Sequence, residues 1–157
     1  MHPSEHDTTP LRPDASLREL RSLFSTLDAP GEAILKGFYR ACFIGPWWLR
    51  KSAPPTLYLT GLPNWQGKRF LSVDRAVNIV LVGGAPTEAL SMSVATLPSH
   101  LDAKPVAAVQ YGAEAPLPWR WVIDELRAID DHTMLGMTIV CKQLVEHLSF
   151  PFLLRRD

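Results

Sequence analysis

From Thr56 to the C-terminus the chain is cut at short intervals by turn residues, and this punctuation constrains the fold more than any other feature. Gly61-Leu62-Pro63-Asn64, Gly83-Gly84-Ala85-Pro86, Pro98 with Pro105, and the stretch 112–118 each interrupt an apolar run. The runs between them are too short for helices and rich in strand-forming residues: 57–59, 67–72, 76–82, 88–97 and 106–111. The segment 76–82 reads AVNIVLV, and 88–97 alternates, with Leu90, Met92 and Val94 opposite Ala89, Ser91, Ser93 and Ala95. The stretch WRWVIDELRAIDDHTMLG (119–136) then turns at Asp130-Asp131, where short acidic side chains bond the local backbone. Its first half reads as a strand, or as a short helix-like segment feeding a strand. Its second half opens a strand over 133–142, and a last strand is expected over about 148–155. Roughly eight or nine short strands with regular turn signals predict an antiparallel barrel or sandwich. The 14 prolines fall mostly in the loops, as such a chain requires.

Ahead of the strands, residues 1–15 are polar and proline-rich and read as a flexible tail. Ser16 and Glu19 form an S-x-x-E capping box, and Leu17, Leu20, Phe24 and Leu27 make one apolar face of a short helix. Asp28-Ala29-Pro30-Gly31 stops it. Residues 33–44 read as helix or turn to about 36 and strand to 44. The stretch 45–55, GPWWLRKSAPP, reads as irregular. Its Trp47-Trp48 pair either plugs one end of a core or serves as a lid, a partner contact or a membrane-surface touch. Residues 16–157 are expected to form a single domain.

Composition excludes several classes. Lys+Arg and Asp+Glu both number 16, so no basic excess exists to hold nucleic acid through its phosphates. Cys42 and Cys141 make neither a disulfide framework nor a metal-binding pattern, and read as free thiols of a reducing compartment. The N-terminus lacks the basic-then-apolar layout of a signal peptide, and no apolar run is long enough to span a bilayer; a cytoplasmic protein is expected. No P-loop, dinucleotide glycine fingerprint, G-x-S-x-G or HExxH motif occurs, so neither cofactor nor metal is expected. The oligomeric state is not set by the sequence, and a homodimer stays open.

Trp65-Gln66-Gly67-Lys68-Arg69-Phe70, VIDELRAIDDHTMLG (122–136) and the C-terminal FLLRRD resemble bacterial GxWxG-domain proteins with their companion C-terminal domain of unknown function. The signature pentapeptide aligns with Gly37-Phe38-Tyr39-Arg40-Ala41, with Tyr39 in place of Trp and Ala41 in place of Gly. The resemblance implies a mainly β fold, an antiparallel barrel of calycin or lipocalin type preceded by a short N-terminal helix. It also implies that Arg155 or Arg156 packs over the Tyr39 ring and closes the barrel.

Within such a barrel, Tyr39, Trp65, Tyr111 and Trp121 are candidate ligand-binding walls, and Asp124 with Arg127 candidate anchors for a polar group. Strand alternation puts Arg120, Val122, Asp124 and Leu126 on one face and Trp119, Trp121, Ile123 and Glu125 on the other. Either face could be the interior. Asp124 is then a desolvated carboxylate with a raised pKa, or one half of a structural pair with Arg127 or with Lys68-Arg69. The expected function is binding of a small hydrophobic or aromatic molecule in the barrel. The alternatives are a cofactor-free isomerase or cyclase with Asp124 as the catalytic residue, and a haem-binding nitrobindin-like protein using His100, His132 or, best placed, His147. A barrel filled with side chains would remove all three.

Overall fold

The computed structural model describes residues 11–141 and 149–157. Eight strands form one closed antiparallel barrel: β1 Gly37–Phe43, β2 Trp65–Ser72, β3 Arg75–Val82, β4 Ala85–Pro98, β5 Pro105–Tyr111, β6 Val122–Asp130, β7 Thr133–Val140 and β8 Ser149–Arg155. Each strand pairs with the next in sequence, and β8 returns to β1 with Arg40 opposite Arg155 and Cys42 opposite Leu153. Closure leaves no open edge to recruit another strand.

Two glycines let the strands approach this closely. Gly67 sits at a register shift in β2, and a Cβ there would run into the Tyr39 carbonyl of β1. Gly136 on β7 lies opposite Phe152 on β8, and any side chain there would occupy the space of the Phe152 ring. That ring is thereby laid across β7 and into the barrel.

Strand alternation sorts the core into two layers. Tyr39, Phe70, Ala76, Met92, Val94, Ala107, Val109, Leu126, Met134 and Leu154 point inward and pack on one another. Val106, Ala108, Leu135, Met137 and Leu153 point outward from neighbouring strands and would be exposed if nothing covered them. Helix α1, Leu17–Thr26, covers them with Leu20 and Phe24. Its N-terminus is capped as expected: the Ser16 hydroxyl accepts from the Glu19 amide at 3.1 Å. The tail expected through residue 15 is anchored at its end, because Ala15 is buried and the Pro13 carbonyl accepts from the Gly45 amide.

The chain between β1 and β2 departs from expectation. In place of an irregular stretch and a strand at 57–59 there is one helix, α2, Trp47–Leu59, with Pro54 and Pro55 inside it. Proline removes an amide donor and normally breaks a helix. Here Leu49, Ser52, Ala53, Thr56, Leu57 and Thr60 fall on one helical stripe, and that stripe faces the barrel mouth. Tertiary contact therefore overrides local propensity. The segment before β6 takes the second of its two expected forms, a 3-10 turn at Trp119–Trp121 feeding the strand. Among the described residues no helix is long and apolar enough to cross a membrane.

Arg127 belongs to this outer architecture and not to the barrel interior, which corrects its expected place as a ligand anchor. It is fully buried beneath α1, donates to both carboxylate oxygens of Asp102 at 2.7 Å, and reaches the Phe24 carbonyl at 2.9 Å. Its guanidinium lies 4.4 Å from the centre of the Phe24 ring. Planar, bidentate pairing of this kind ties the β4–β5 loop and α1 to the barrel wall. The hydrogen bonds from Arg127 hold the Asp102 carboxyl below its ordinary value of 3.8, so this stabilisation is present above that pH and is lost as pH falls through the lowered pKa. Asp102→Asn leaves the Arg127 charge buried without its counter-ion and is expected to cost about 3–5 kcal/mol. Urea denaturation near neutral pH checks this; a loss under about 1 kcal/mol would mean that the backbone carbonyls suffice.

Candidate functional site

Among the described residues the barrel is hollow at the end that α2 covers. Its lower half is filled by Tyr39, Phe70, Leu126, Met134 and Leu154. The lower opening is closed by Arg156, whose guanidinium lies 5.3 Å from the centre of the Tyr39 ring while its NH2 donates to the Asp131 carbonyl. Of the two arginines left open by the sequence, Arg156 is the one over the ring. The Tyr39 hydroxyl donates to the Ile34 carbonyl at 2.6 Å. Tyr39 is thus part of the closed base, not a ligand wall.

Above this plug lies a cavity of about 310 Å³. Its walls are Phe43, Trp65, Trp119, Val122, Val140 and Phe152, with Ile44 and Phe150 nearby, and its roof is the apolar stripe of α2 with the Trp48 ring. The aromatic rings brace one another: Trp65 stands 5.9 Å from Phe43 and 6.0 Å from Phe152, and Trp119 stands 5.3 Å from Tyr111. The Trp119 indole also donates to the Thr60 carbonyl, tying the end of α2 to the far rim. A second hollow lies on the other side of α2 and shares Phe43, Leu57 and Trp65 with the first. Trp47 and Trp48 are 68% and 49% exposed, so the roof also presents aromatic surface outward.

The floor is polar and built from five side chains on five strands. Lys68 on β2 and Asp124 on β6 form an ion pair at 2.9 Å, although they are only 1% and 4% exposed. Every member of the group is partnered. The other Asp124 oxygen accepts from Thr138 on β7 at 2.7 Å. Lys68 also donates to Asn78 Oδ1 on β3 at 3.1 Å, and its ammonium lies 5.5 Å and 5.7 Å from the Trp65 and Tyr111 ring centres. Trp65 Nε1 donates to the same Asn78 oxygen at 3.0 Å, and Asn78 Nδ2 donates to the Tyr111 hydroxyl on β5 at 3.0 Å. An ion pair removed from water stands only with this degree of hydrogen bonding around it.

Burial works against the Lys68 ammonium, but the Asp124 charge and the neighbouring Tyr111 hydroxyl together outweigh it, and its pKa lies above the ordinary lysine value. Burial pushes the Tyr111 hydroxyl up, with Lys68 opposing. Lys68 is therefore a fixed cation near neutral pH and not a nucleophilic amine, and Tyr111 keeps its proton.

Of the residues expected at a site, the cavity brings together Trp65, Tyr111 and Asp124. The β6 face bearing Val122, Asp124 and Leu126 is the interior, because Ile123 packs in the outer layer with α1. Asp124 pairs with Lys68 inside the barrel, so the two expectations for it, an interior position and a structural pair, hold together. Trp121 does not line the cavity, because the 3-10 turn rotates it away while Trp119 takes the wall position. Lys68, Asn78 and Thr138 were not singled out as ligand-contacting residues. Asn78 is a polar residue at an inward position of the apolar run AVNIVLV, and that is the signal that could have found it; Lys68 lies in the polar stretch WQGKR, where it carries no such mark. His100 and His132 lie away from the cavity: His100 caps the buried Glu125 carboxylate from outside, and His132 is in the β6–β7 turn. His147 lies outside the described residues. Among the described residues no group of three ionisable side chains is placed to hold a metal.

No protein-family model matches the chain, and no curated protein matches it. A crystal structure of a protein from Thermomonospora curvata is similar, with a TM-score of 0.69 over 92% of this chain and 89% of that one at 17% identity. At that identity the likeness is one of fold alone.

Removing one member of the buried pair is expected to cost more than removing both. Asp124→Asn and Lys68→Met should each lose about 3–5 kcal/mol, and Lys68→Met/Asp124→Leu should recover most of it. Denaturant unfolding of the four proteins checks this, and a strictly additive double variant would contradict it. Folding raises both the Lys68 and the Tyr111 pKa, so the native state holds these protons more tightly than the unfolded chain. Their contribution is whole below about pH 10, the ordinary tyrosine value, and is lost as pH rises through the folded pKa values. The wild type should therefore lose stability more steeply than the double variant in alkaline urea titrations above that point.

Proposed function

We propose that the protein binds a small, mostly apolar molecule in the upper half of the barrel, with one polar end at the Lys68–Asp124 floor. One observation carries this reading. A lined cavity of about 310 Å³ stands above a fully packed base, within the size range of small-molecule sites. Eight-stranded barrels can be filled by their own side chains, and the lower half of this one is. The upper half combines aromatic walls with a small convergent polar group, the usual composition of a small-molecule site.

Access follows from the roof. Helix α2 lacks two amide donors at Pro54 and Pro55, and has no side-chain cap at its N-terminus. It is the least self-supporting helix of the fold, and it covers the mouth. A ligand enters by displacing it, which opens the cavity without disturbing the strand ladder. The alternative of a cofactor-free isomerase or cyclase uses the same Asp124. Each oxygen of Asp124 already has a partner in Lys68 or Thr138, which suits an anchoring task better than a proton acceptor's.

The neutral dye N-phenyl-1-naphthylamine tests this. Its emission should rise on binding, and emission from the tryptophans of the wall and roof, Trp48, Trp65 and Trp119, should be quenched at the same midpoint. Val122→Trp places a large ring in the cavity and should weaken dye binding at least about tenfold. Unchanged affinity in the folded variant would place the dye elsewhere and remove the reading.

A further inference from the structure

We infer that the polar end of the ligand is a neutral hydroxyl, of an alcohol or a phenol, and not a carboxylate. This rests on the binding reading above and follows from the hydrogen-bond inventory of the cavity floor.

The orientation of Asn78 comes first. Trp65 Nε1 and the Lys68 ammonium are obligate donors, and both face one end of the Asn78 amide at 3.0 and 3.1 Å. That end is therefore the oxygen, and the nitrogen faces Tyr111. The Tyr111 oxygen accepts from Asn78 Nδ2 at 3.0 Å, so the proton of its hydroxyl is not used in that bond. Among the described residues that proton has no acceptor: Tyr111 is 7% exposed, lines the cavity, and makes no hydrogen bond as donor. One buried donor is thus left for the cavity's contents.

The cation at the floor is not left over in the same way. The three protons of Lys68 are already shared among Asp124, Asn78, the Tyr111 hydroxyl oxygen and, at 3.4 Å, the Met92 sulfur. A ligand carboxylate would have to take Lys68 from Asp124 and would bring a second anion beside it, which is costly away from water. Asp124 is different again. Each of its oxygens has two lone pairs and one partner, so acceptor capacity remains on a residue that lines the cavity. One spare donor at Tyr111 and spare acceptors at Asp124, both beside Lys68, match a group that accepts one hydrogen bond and donates one. A hydroxyl does both and carries no charge to desolvate.

Three matched probes read this at about pH 7, where naphthol is neutral and naphthoate ionised. Isothermal titration calorimetry should show 2-naphthol binding at least about tenfold more tightly than 2-naphthoate, and more tightly than naphthalene. Tyr111→Phe should weaken 2-naphthol by roughly three- to tenfold and leave naphthalene unchanged. Naphthoate binding as well as naphthol, or naphthalene matching both, would overturn the inference while leaving the apolar cavity in place. Binding of none of the three would overturn the cavity reading with it. If Tyr111→Phe does not fold, the ranking of the three probes on the wild type decides.

Discussion

The Lys68–Asp124 pair imposes the condition that the rest of the barrel interior meets. Two opposite charges stand 2.9 Å apart in a core that is otherwise apolar, and their attraction repays desolvation only if further hydrogen bonds support both charges. Asn78, Thr138 and Tyr111 do this from three further strands, and the faces of Trp65 and Tyr111 lie beside the ammonium. The group reaches across the barrel and fixes how these strands stand to one another. It also divides the interior: below it the side chains fill the space, and above it they do not.

The two ends of the barrel are closed by different physics. At the base, Arg156 over Tyr39 and the backbone bonds around the β6–β7 turn make a permanent seal. At the mouth, a helix interrupted by two prolines rests on apolar contacts and on the Trp119 bond to Thr60. A strong seal at one end and a weak one at the other make a container with a single entrance. The outer wall is stiffened separately by Arg127, Asp102 and α1, so opening the mouth need not loosen the strands.

Much of the fold was legible in the sequence because it is written in local terms. Turn residues delimit the strands, alternation assigns their faces, and Ser16 with Glu19 marks the start of α1. The helix α2 was not legible, because Pro54-Pro55 argue against a helix and only the stripe through 49, 53, 56 and 60 argues for one. That stripe gains its weight from a mouth formed by distant strands. The site divides the same way. Trp65 and Tyr111 stood out as aromatic residues, and Asp124 as a charge between Val122 and Leu126 on one strand face. Arg127, one position out of phase with Leu126, faces outward, and strand parity alone could have separated it from Asp124. Asn78 and Thr138 carry meaning only through partners 10 residues or more away in the chain, which no local pattern encodes.

The central claim is that the upper barrel is a container for a small molecule. Native mass spectrometry of freshly purified protein, before and after denaturation, tests it most directly. The account predicts a non-covalent adduct that is released on unfolding and is absent from the Val122→Trp variant. An adduct-free protein that also fails to take up any neutral aromatic probe would contradict it and leave the cavity a packing defect.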